Sequence, residues 1–343
     1  MARVFLTSVH PPSNAHRRFE LQCLEMCAAA DRFQAHHITH SPSAADLILF
    51  VERENGGGKK LENVLAHPLY HRYREKCFVV NPRFKGPPLL PGVYSSIDNR
   101  WYSADRHRSA HYPEVFEDPF LCPQGPVHSG GYLYSFRGNA QASQVRRNLA
   151  RLPHPLGFFE DTAAISNKST AAIHGCPQEG TKSHFIQEYV DVTRNSKFVL
   201  CPRGTGPSSL RLFESMLMGR APVIISDAWV PPEGPNWDHF SVRVKESAIH
   251  TIPILLKSYE DRAPEMGRRA RAAWLEWFSP EVTFHRIVEW CLSIQRTEPS
   301  LSTRWHRIRC LASTLHSVRV AEQLAARVAD RWKTLKINIA SLD

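Results

Sequence analysis

Two arginines and a glutamate lie close together in the sequence, around a predicted junction between a strand and a helix. Arg203 lies in a loop rich in Gly and Pro at 202–207, and Arg211 and Glu214 lie on the helix that follows. The free N–H groups and the dipole of a helix N-terminus favour a bound anion. The sequence therefore predicts a phosphate-binding site at this junction, with Arg203 and Arg211 as its cationic ligands.

The helix predicted at 208–218 is apolar around most of its circumference. At 100° per residue, its polar side chains fall on one stripe, formed by Ser208, Arg211, Glu214 and Ser215. So apolar a helix is expected to be buried, and a buried ion pair is weak evidence for stability. We therefore expect a polar ligand along the stripe, with Ser208 and Ser209 at the helix N-terminus. The alternative is a structural ion pair between Arg211 and Glu214.

Apolar segments on either side of this helix predict strands at Lys197–Cys201 and Ala221–Ile225. Together the three elements make a parallel βαβ unit. In such units ligands bind outside the carboxyl ends of the strands. The predicted phosphate site lies at that edge.

This segment resembles the exostosin family, glycosyltransferase family 47. The resemblance rests on S-x-F-x-L-C-P-R-G at 196–204, S-x-R-x-x-E at 209–214, G-x-x-P-V-I-I-S-D at 219–227 and W-x-x-F-S-V-x-V-x-E at 237–246. It implies an inverting glycosyltransferase that uses a sugar nucleotide and has two facing Rossmann-like domains, the GT-B arrangement. It also implies that the Glu214 carboxylate accepts hydrogen bonds from both ribose hydroxyls of the nucleotide.

Other residues of the second half follow predicted strands. Arg137 comes directly after the strand predicted at 132–136, as a ligand of the donor diphosphate or as a partner in a surface salt bridge. Asp227 follows the strand at 221–225 and either contacts the donor sugar or caps the next segment. Arg146 and Arg147 begin a helix and are interpreted as solvated.

The first half alternates strands and helices as a Rossmann-like domain does. Strands are predicted at 3–9, 46–51 and 77–82, and helices at 17–30 and within 60–75. His10 follows the first strand and Glu52 follows the second. An inverting transferase needs a general base for the acceptor hydroxyl, and Glu52 and His10 are the candidates. The alternative for each is a solvated loop residue.

No metal site is predicted. The sequence contains no Asp-x-Asp, which commonly holds a divalent ion against a nucleotide diphosphate. His36, His37 and His40 have no partners at zinc-ligand spacing and are interpreted as surface residues. We expect no cofactor, and expect arginines and the helix dipole to neutralise the leaving diphosphate.

The chain has 343 residues and a formal net charge of +10, with 32 Arg and 11 Lys. A basic protein invites a nucleic-acid interpretation. The arginines are scattered, however, and no nucleic-acid-binding motif is present. We expect anionic substrates instead, and no nucleic-acid partner.

The sequence begins without a signal-peptide pattern and contains no apolar stretch long enough to span a membrane. Its eight cysteines form no C-x-x-C pair and are expected to be reduced. We expect a cytoplasmic protein, or one whose anchor has been removed. A peripheral association with membranes stays open.

Three regions are predicted: an acceptor-binding domain at 1–125, a nucleotide-sugar-binding domain at 126–280, and helices at 281–343 that pack across both. The last part, 301–343, holds eight basic and three acidic residues. It is interpreted as a helix packed on the protein, with contact to anionic lipid or a dimer contact as alternatives.

These features predict a metal-independent inverting glycosyltransferase that transfers a sugar from a nucleotide-diphosphate donor, a UDP-sugar, to a polysaccharide or glycoconjugate. The alternative is a catalytically silent glycan-binding or partner subunit that keeps the fold. The set Arg203, Arg211 and Glu214 argues against it, because a silent subunit does not need a nucleotide site.

Overall fold

The structure is a computed structural model that describes residues 1–52, 63–81, 86–116, 131–152, 154–163 and 179–297, with Cys310 and Ser313. The described residues form two parallel β-sheets with helices packed on them. The basic segment 301–343 lies outside the described residues, apart from Cys310 and Ser313.

The first sheet has six parallel strands in the order β2-β1-β3-β4-β5-β6. Its strands are β1 (Ala2–Thr7), β2 (His36–Ile38), β3 (Leu47–Val51), β4 (Cys77–Asn81), β5 (Gly92–Tyr94) and β6 (His107–Ser109). All residues of β3 and β4 are buried, as expected for central parallel strands covered on both faces.

The second sheet has five parallel strands in the order β11-β10-β9-β7-β8. They are β7 (Tyr132–Gly138), β8 (Gly157–Asp161), β9 (Ser196–Pro202), β10 (Ala221–Ile225) and β11 (Val242–Arg243). The predicted boundary at 125/126 falls between the two sheets, outside the described residues.

Helices cover both sheets. They are α1 (Phe19–Ala29), α2 (Pro68–Arg72), α3 (Gln144–Leu149), α4 (Glu179–Arg194), α5 (Leu210–Leu217), α6 (Ile252–Ser258), α7 (Ala263–Trp277) and α8 (Pro280–Arg296). Alternate residues of β9 enter different cores, because successive side chains of a strand point to opposite faces. Val199 packs in the core that contains α5 and α7, and Leu200 packs in the one that contains α6.

Helix α8 follows the second sheet in the chain but packs against α1 of the first unit. Phe284, Ile287 and Val288 of α8 are buried in the same core as Val4 and Leu49. The chain therefore crosses back to the first unit after Pro280.

The predicted fold class is confirmed: the protein is α/β, with two Rossmann-like units whose carboxyl edges meet, the GT-B-like arrangement. Helix is also present within 60–75, as predicted, at residues 63–65 and in α2 (Pro68–Arg72). One prediction is wrong. His36 is buried rather than at the surface, because it lies on β2 with its Nε2 atom 3.0 Å from Glu289 Oε1 on α8.

Candidate active site

The predicted anion site lies at the junction between β9 and α5. Helix α5 begins at Leu210, and Ser209 is its N-cap residue but makes no side-chain capping hydrogen bond. The hydroxyl groups of Ser208 and Ser209 are buried and have no hydrogen-bond partner among the described residues. Buried hydroxyls are normally hydrogen-bonded, so this helix end is arranged for a group that accepts hydrogen bonds.

Arg211 lies one turn into α5 and is also buried. Its Nη2 atom donates to the carbonyl oxygen of Arg137 at 2.5 Å, and its guanidinium lies 4.6 Å from the centroid of the Phe136 ring. Its Nε atom has no hydrogen-bond partner among the described residues. No described carboxylate forms an ion pair with Arg211, so the predicted alternative of a structural pair with Glu214 is not what the structure shows.

Glu214 instead accepts a hydrogen bond from Tyr189 of α4, whose Oη lies 2.6 Å from Glu214 Oε2. Burial, and next the negative charge of Glu214, raise the pKa of the Tyr189 hydroxyl, so it stays a donor. One carboxylate oxygen is thus held in place by α4, and a carboxylate can accept several hydrogen bonds. Tyr189 was not singled out from the sequence.

Arg137 and Arg203 have carboxylate partners, unlike Arg211. The buried guanidinium of Arg137 pairs with Glu160 at 2.5 Å and with Glu188. Arg203 donates from Nε to both carboxylate oxygens of Glu246, at 2.8 and 3.0 Å. Both arginines lie at the carboxyl edge of the second sheet, as predicted. Their charges are, however, already balanced.

Asp227 is exposed and forms a reciprocal contact with Glu246. The backbone N–H of Glu246 donates to Asp227 Oδ1 at 3.1 Å, and the N–H of Asp227 donates to Glu246 Oε1 at 3.3 Å. This geometry matches the capping alternative, in which Asp227 holds the segment that follows β11.

The interpretation of Arg146 as a solvated residue is wrong. It was expected to be solvated, but its guanidinium packs between the loops that follow β7 and β9 and donates to three backbone carbonyls, those of Asn139, Pro202 and Arg203. Burial, and next the charge of Arg211, lower the pKa of Arg146 to about 9. Arg147 is exposed, as predicted, and bonds to Gln144.

The first unit brings together the two candidate bases. Glu52 is buried at the end of β3, where it accepts hydrogen bonds from the N–H of Val9 at 2.7 Å and from Ser8 Oγ at 3.3 Å. Its Oε2 atom lies 3.8 Å from His10 Nε2. Burial raises the pKa of the Glu52 carboxyl to about 7, against the opposing effects of the two hydrogen bonds. Neither residue is a solvated loop residue.

The two units meet at their carboxyl edges. The backbone N–H of Ser208 donates to Ser96 Oγ, beyond β5, at 3.3 Å. Asp98 forms an isolated antiparallel bridge with Trp229, and the N–H of Asn99 donates to the carbonyl of Ala228 at 3.0 Å. The α5 N-terminus is therefore in direct contact with the edge of the sheet that carries Glu52.

Within the described ranges, no group of three or more His, Cys, Asp or Glu side chains is placed to hold a metal ion. In the same part of the chain, no helix has the length and apolar character that crossing a membrane requires. The six described cysteines are free thiols and all are buried.

Fold and site together define a two-unit α/β protein with a cationic strand–helix junction at the interface between its sheets. A family model described as the exostosin GT47 domain matches residues 97–259. Over these residues the chain is similar to the exostosin family, glycosyltransferase family 47, and the predicted resemblance is confirmed.

Exostosin proteins of two animals match part of the chain. An exostosin-1 homolog of Caenorhabditis elegans is 28% identical over 148 residues, which are 41% of this chain and 39% of that protein. Exostosin-1 of Drosophila melanogaster is 25% identical over 156 residues, which are 43% of this chain and 20% of that protein. The chain thus spans well under half the length of these relatives.

A solved structure of Anabaena HepE in complex with UDP and glucose is also similar to the chain. It has a TM-score of 0.41 and 12% identity, and the match covers 84% of this chain and 98% of the other.

Proposed function

We propose that this protein is a glycosyltransferase that transfers a sugar from a nucleotide-diphosphate donor, a UDP-sugar, to a hydroxyl of a polysaccharide or glycoconjugate. The observation that carries the proposal is the α5 N-terminus. There the buried hydroxyls of Ser208 and Ser209 and the Nε atom of Arg211 all lack partners among the described residues. A bound diphosphate would satisfy these donors at a helix end that favours negative charge.

The same junction supplies a contact for the nucleoside. Glu214 lies one turn further along α5, with one carboxylate oxygen held by Tyr189. A carboxylate is suited to the vicinal hydroxyls of a ribose, because it accepts several hydrogen bonds. The similarity to the exostosin family supports this role.

Departure of the nucleotide diphosphate develops negative charge that must be stabilised. Fixed cations and aligned dipoles can stabilise it without a metal ion. Arg211 and the α5 dipole are placed for this, and Arg203 and Arg137 flank them. The proposed reaction is therefore independent of divalent ions.

The first unit supplies the general base. The pKa of the Glu52 carboxyl, about 7, suits proton transfer near neutral pH. His10 lies beside it and is the second candidate. In the proposed reaction, a base of the first unit removes the proton of the acceptor hydroxyl. The acceptor oxygen then attacks the anomeric carbon of the donor, which is bound to the second unit, and this attack would invert that carbon.

The test begins with binding. UDP should raise the melting temperature of the wild-type protein, more so as its concentration increasingly exceeds the dissociation constant. Glu214→Ala should lose most of that shift, whereas Glu25→Ala, which changes an exposed glutamate of α1, should keep it. If UDP and other nucleotide diphosphates never stabilise the wild-type protein, the proposal is wrong.

Turnover is measured next with a panel of UDP-sugars and glycan acceptors. Transfer of the labelled sugar with inversion is the expected result. UDP binding without transfer to any acceptor would favour the silent partner subunit.

A further inference from the structure

Arg146 is held differently from the other arginines of the candidate site. Its three hydrogen bonds, at 3.0 to 3.3 Å, all go to backbone carbonyls. No described carboxylate forms an ion pair with it, whereas Arg137 and Arg203 each have such a partner. Arg146 therefore brings a positive charge that has no ion pair with a described residue into the space between the loops after β7 and β9.

Arg211 brings a second positive charge to the same place. The two guanidiniums lie on the same aromatic side chain, 5.7 and 4.6 Å from the centroid of the Phe136 ring. Each is hydrogen-bonded to a carbonyl at the carboxyl edge of the second sheet. The charge of Arg211 lowers the pKa of Arg146, so the two like charges repel each other, and a bound anion would reduce that cost.

The surroundings indicate which kind of anion fits. The Nη2 atom of Arg146 would lie 3.5 Å from a Cβ built on Gly204, so the guanidinium lies against the loop that leads into α5. The unpartnered hydroxyls of Ser208 and Ser209 lie at the other end of that loop. Two cations and a helix N-terminus match the two phosphates of a diphosphate better than a single carboxylate.

We propose that Arg146 and Arg211 form a clamp for the diphosphate of the donor, with Arg146 as its second cationic ligand. This inference rests on the proposed function for the identity of the ligand. Arg137 and Arg203, which have carboxylate partners, then stabilise the loops around the clamp.

The experiment compares the neighbouring substitutions Arg146→Gln and Arg147→Gln. Both remove one positive charge from α3, but Arg147 is exposed, so R147Q is the matched control. Calorimetric titrations with pyrophosphate, UDP and uridine separate the phosphate contact from the nucleoside contact. R146Q should weaken pyrophosphate and UDP binding by at least about tenfold, the size of one lost hydrogen bond to a charged group, and leave uridine unchanged. R147Q should bind all three probes like the wild-type protein.

A second variant covers the case in which R146Q does not fold. Arg146→Lys keeps the charge, but a lysine ammonium has three donors and lacks the planar fork of arginine. It cannot hold the three carbonyls and a phosphate together, so pyrophosphate and UDP should still bind at least about threefold more weakly.

The outcomes distinguish this inference from the proposed function. If the folded variants of Arg146 bind pyrophosphate and UDP like the wild-type protein, the clamp is wrong and the glycosyltransferase proposal stands. If pyrophosphate binding depends on Arg146 but no nucleotide diphosphate binds more tightly than pyrophosphate, the clamp stands and the proposed donor is wrong. Absence of both pyrophosphate and UDP binding in the wild-type protein overturns both.

Discussion

The Nε2 atom of His10 lies 3.8 Å from Oε2 of Glu52, at the ends of the paired strands β1 and β3. The same carboxylate accepts hydrogen bonds from Ser8 and Val9 and is buried. Burial raises the pKa of the Glu52 carboxyl, and the two hydrogen bonds lower it. The net rise in this pKa leads to two predictions.

The first prediction concerns the pH dependence of transfer. The pKa of the Glu52 carboxyl is about 7, and a general base must be deprotonated. The kcat/KM of transfer should therefore rise with pH and level off above about 7. Glu52→Gln should lower turnover by about 10²-fold or more, with donor affinity nearly unchanged. Glu25→Gln on α1 is the control. Normal turnover in both E52Q and His10→Ala would place the base elsewhere.

The second prediction concerns stability and needs no substrate. The pKa of Glu52 is raised from 4.5 to about 7, so the folded protein binds more protons than the unfolded chain between these values. This contribution to the free energy of unfolding is full below pH 4.5 and is lost as the pH rises through about 7. Urea unfolding at pH 4.5, 6 and 8 should show a smaller loss in E52Q than in the wild-type protein. Parallel curves would contradict a raised pKa.

The third prediction concerns the space that Arg211 occupies. A Cβ atom at Gly138 would overlap Nη2 of Arg211, which is the far end of a flexible side chain. Gly138→Ala should therefore leave the fold intact and displace the guanidinium. UDP affinity should fall on the order of tenfold, since hydrogen bonds to charged groups contribute about 1.5–3 kcal/mol. Gly131→Ala, where a Cβ meets nothing within 4 Å, should have no effect. An unchanged dissociation constant for UDP in G138A would remove Arg211 from the donor site.

The fourth prediction concerns divalent ions. If fixed cations stabilise the departing diphosphate, excess EDTA should leave the rate of transfer within about twofold of its initial value. Arg211→Ala should remove about 2 kcal/mol or more of transition-state stabilisation, as loss of one oxyanion donor does. Activity that EDTA abolishes and that Mn²⁺ or Mg²⁺ restores would show that the proposed mechanism is wrong.

The long buried strands could be predicted because they are continuous apolar runs. The strand predicted at Ala221–Ile225 has the observed limits, and β9 extends the predicted strand by one residue at each end. Strands β2, β5 and β6 were not predicted, since three residues are too few to show a period. These short strands form because they pair with neighbouring strands of the sheet, and the local sequence does not show which strands will be neighbours.

The residues of the candidate site could likewise be predicted only in part. Arg211 and Glu214 were found because their spacing on one helix is visible in the sequence. Arg146 was missed because the carbonyls that hold it belong to loops after two different strands, β7 and β9. The burial of His36 was missed because its partner, Glu289, lies near the other end of the chain.

The return of α8 to the first unit has a consequence for synthesis on the ribosome. Strands β1 to β6 leave the exit tunnel first, but the apolar face that Phe284, Ile287 and Val288 cover stays open until α8 emerges. Domains generally fold as units, the N-terminal one first, and open apolar faces favour aggregation. Because α8 follows every strand of the second sheet in the chain, the core of the N-terminal unit is completed only after those strands have been made. A nascent chain that stalls before Pro280 would present that face to chaperones.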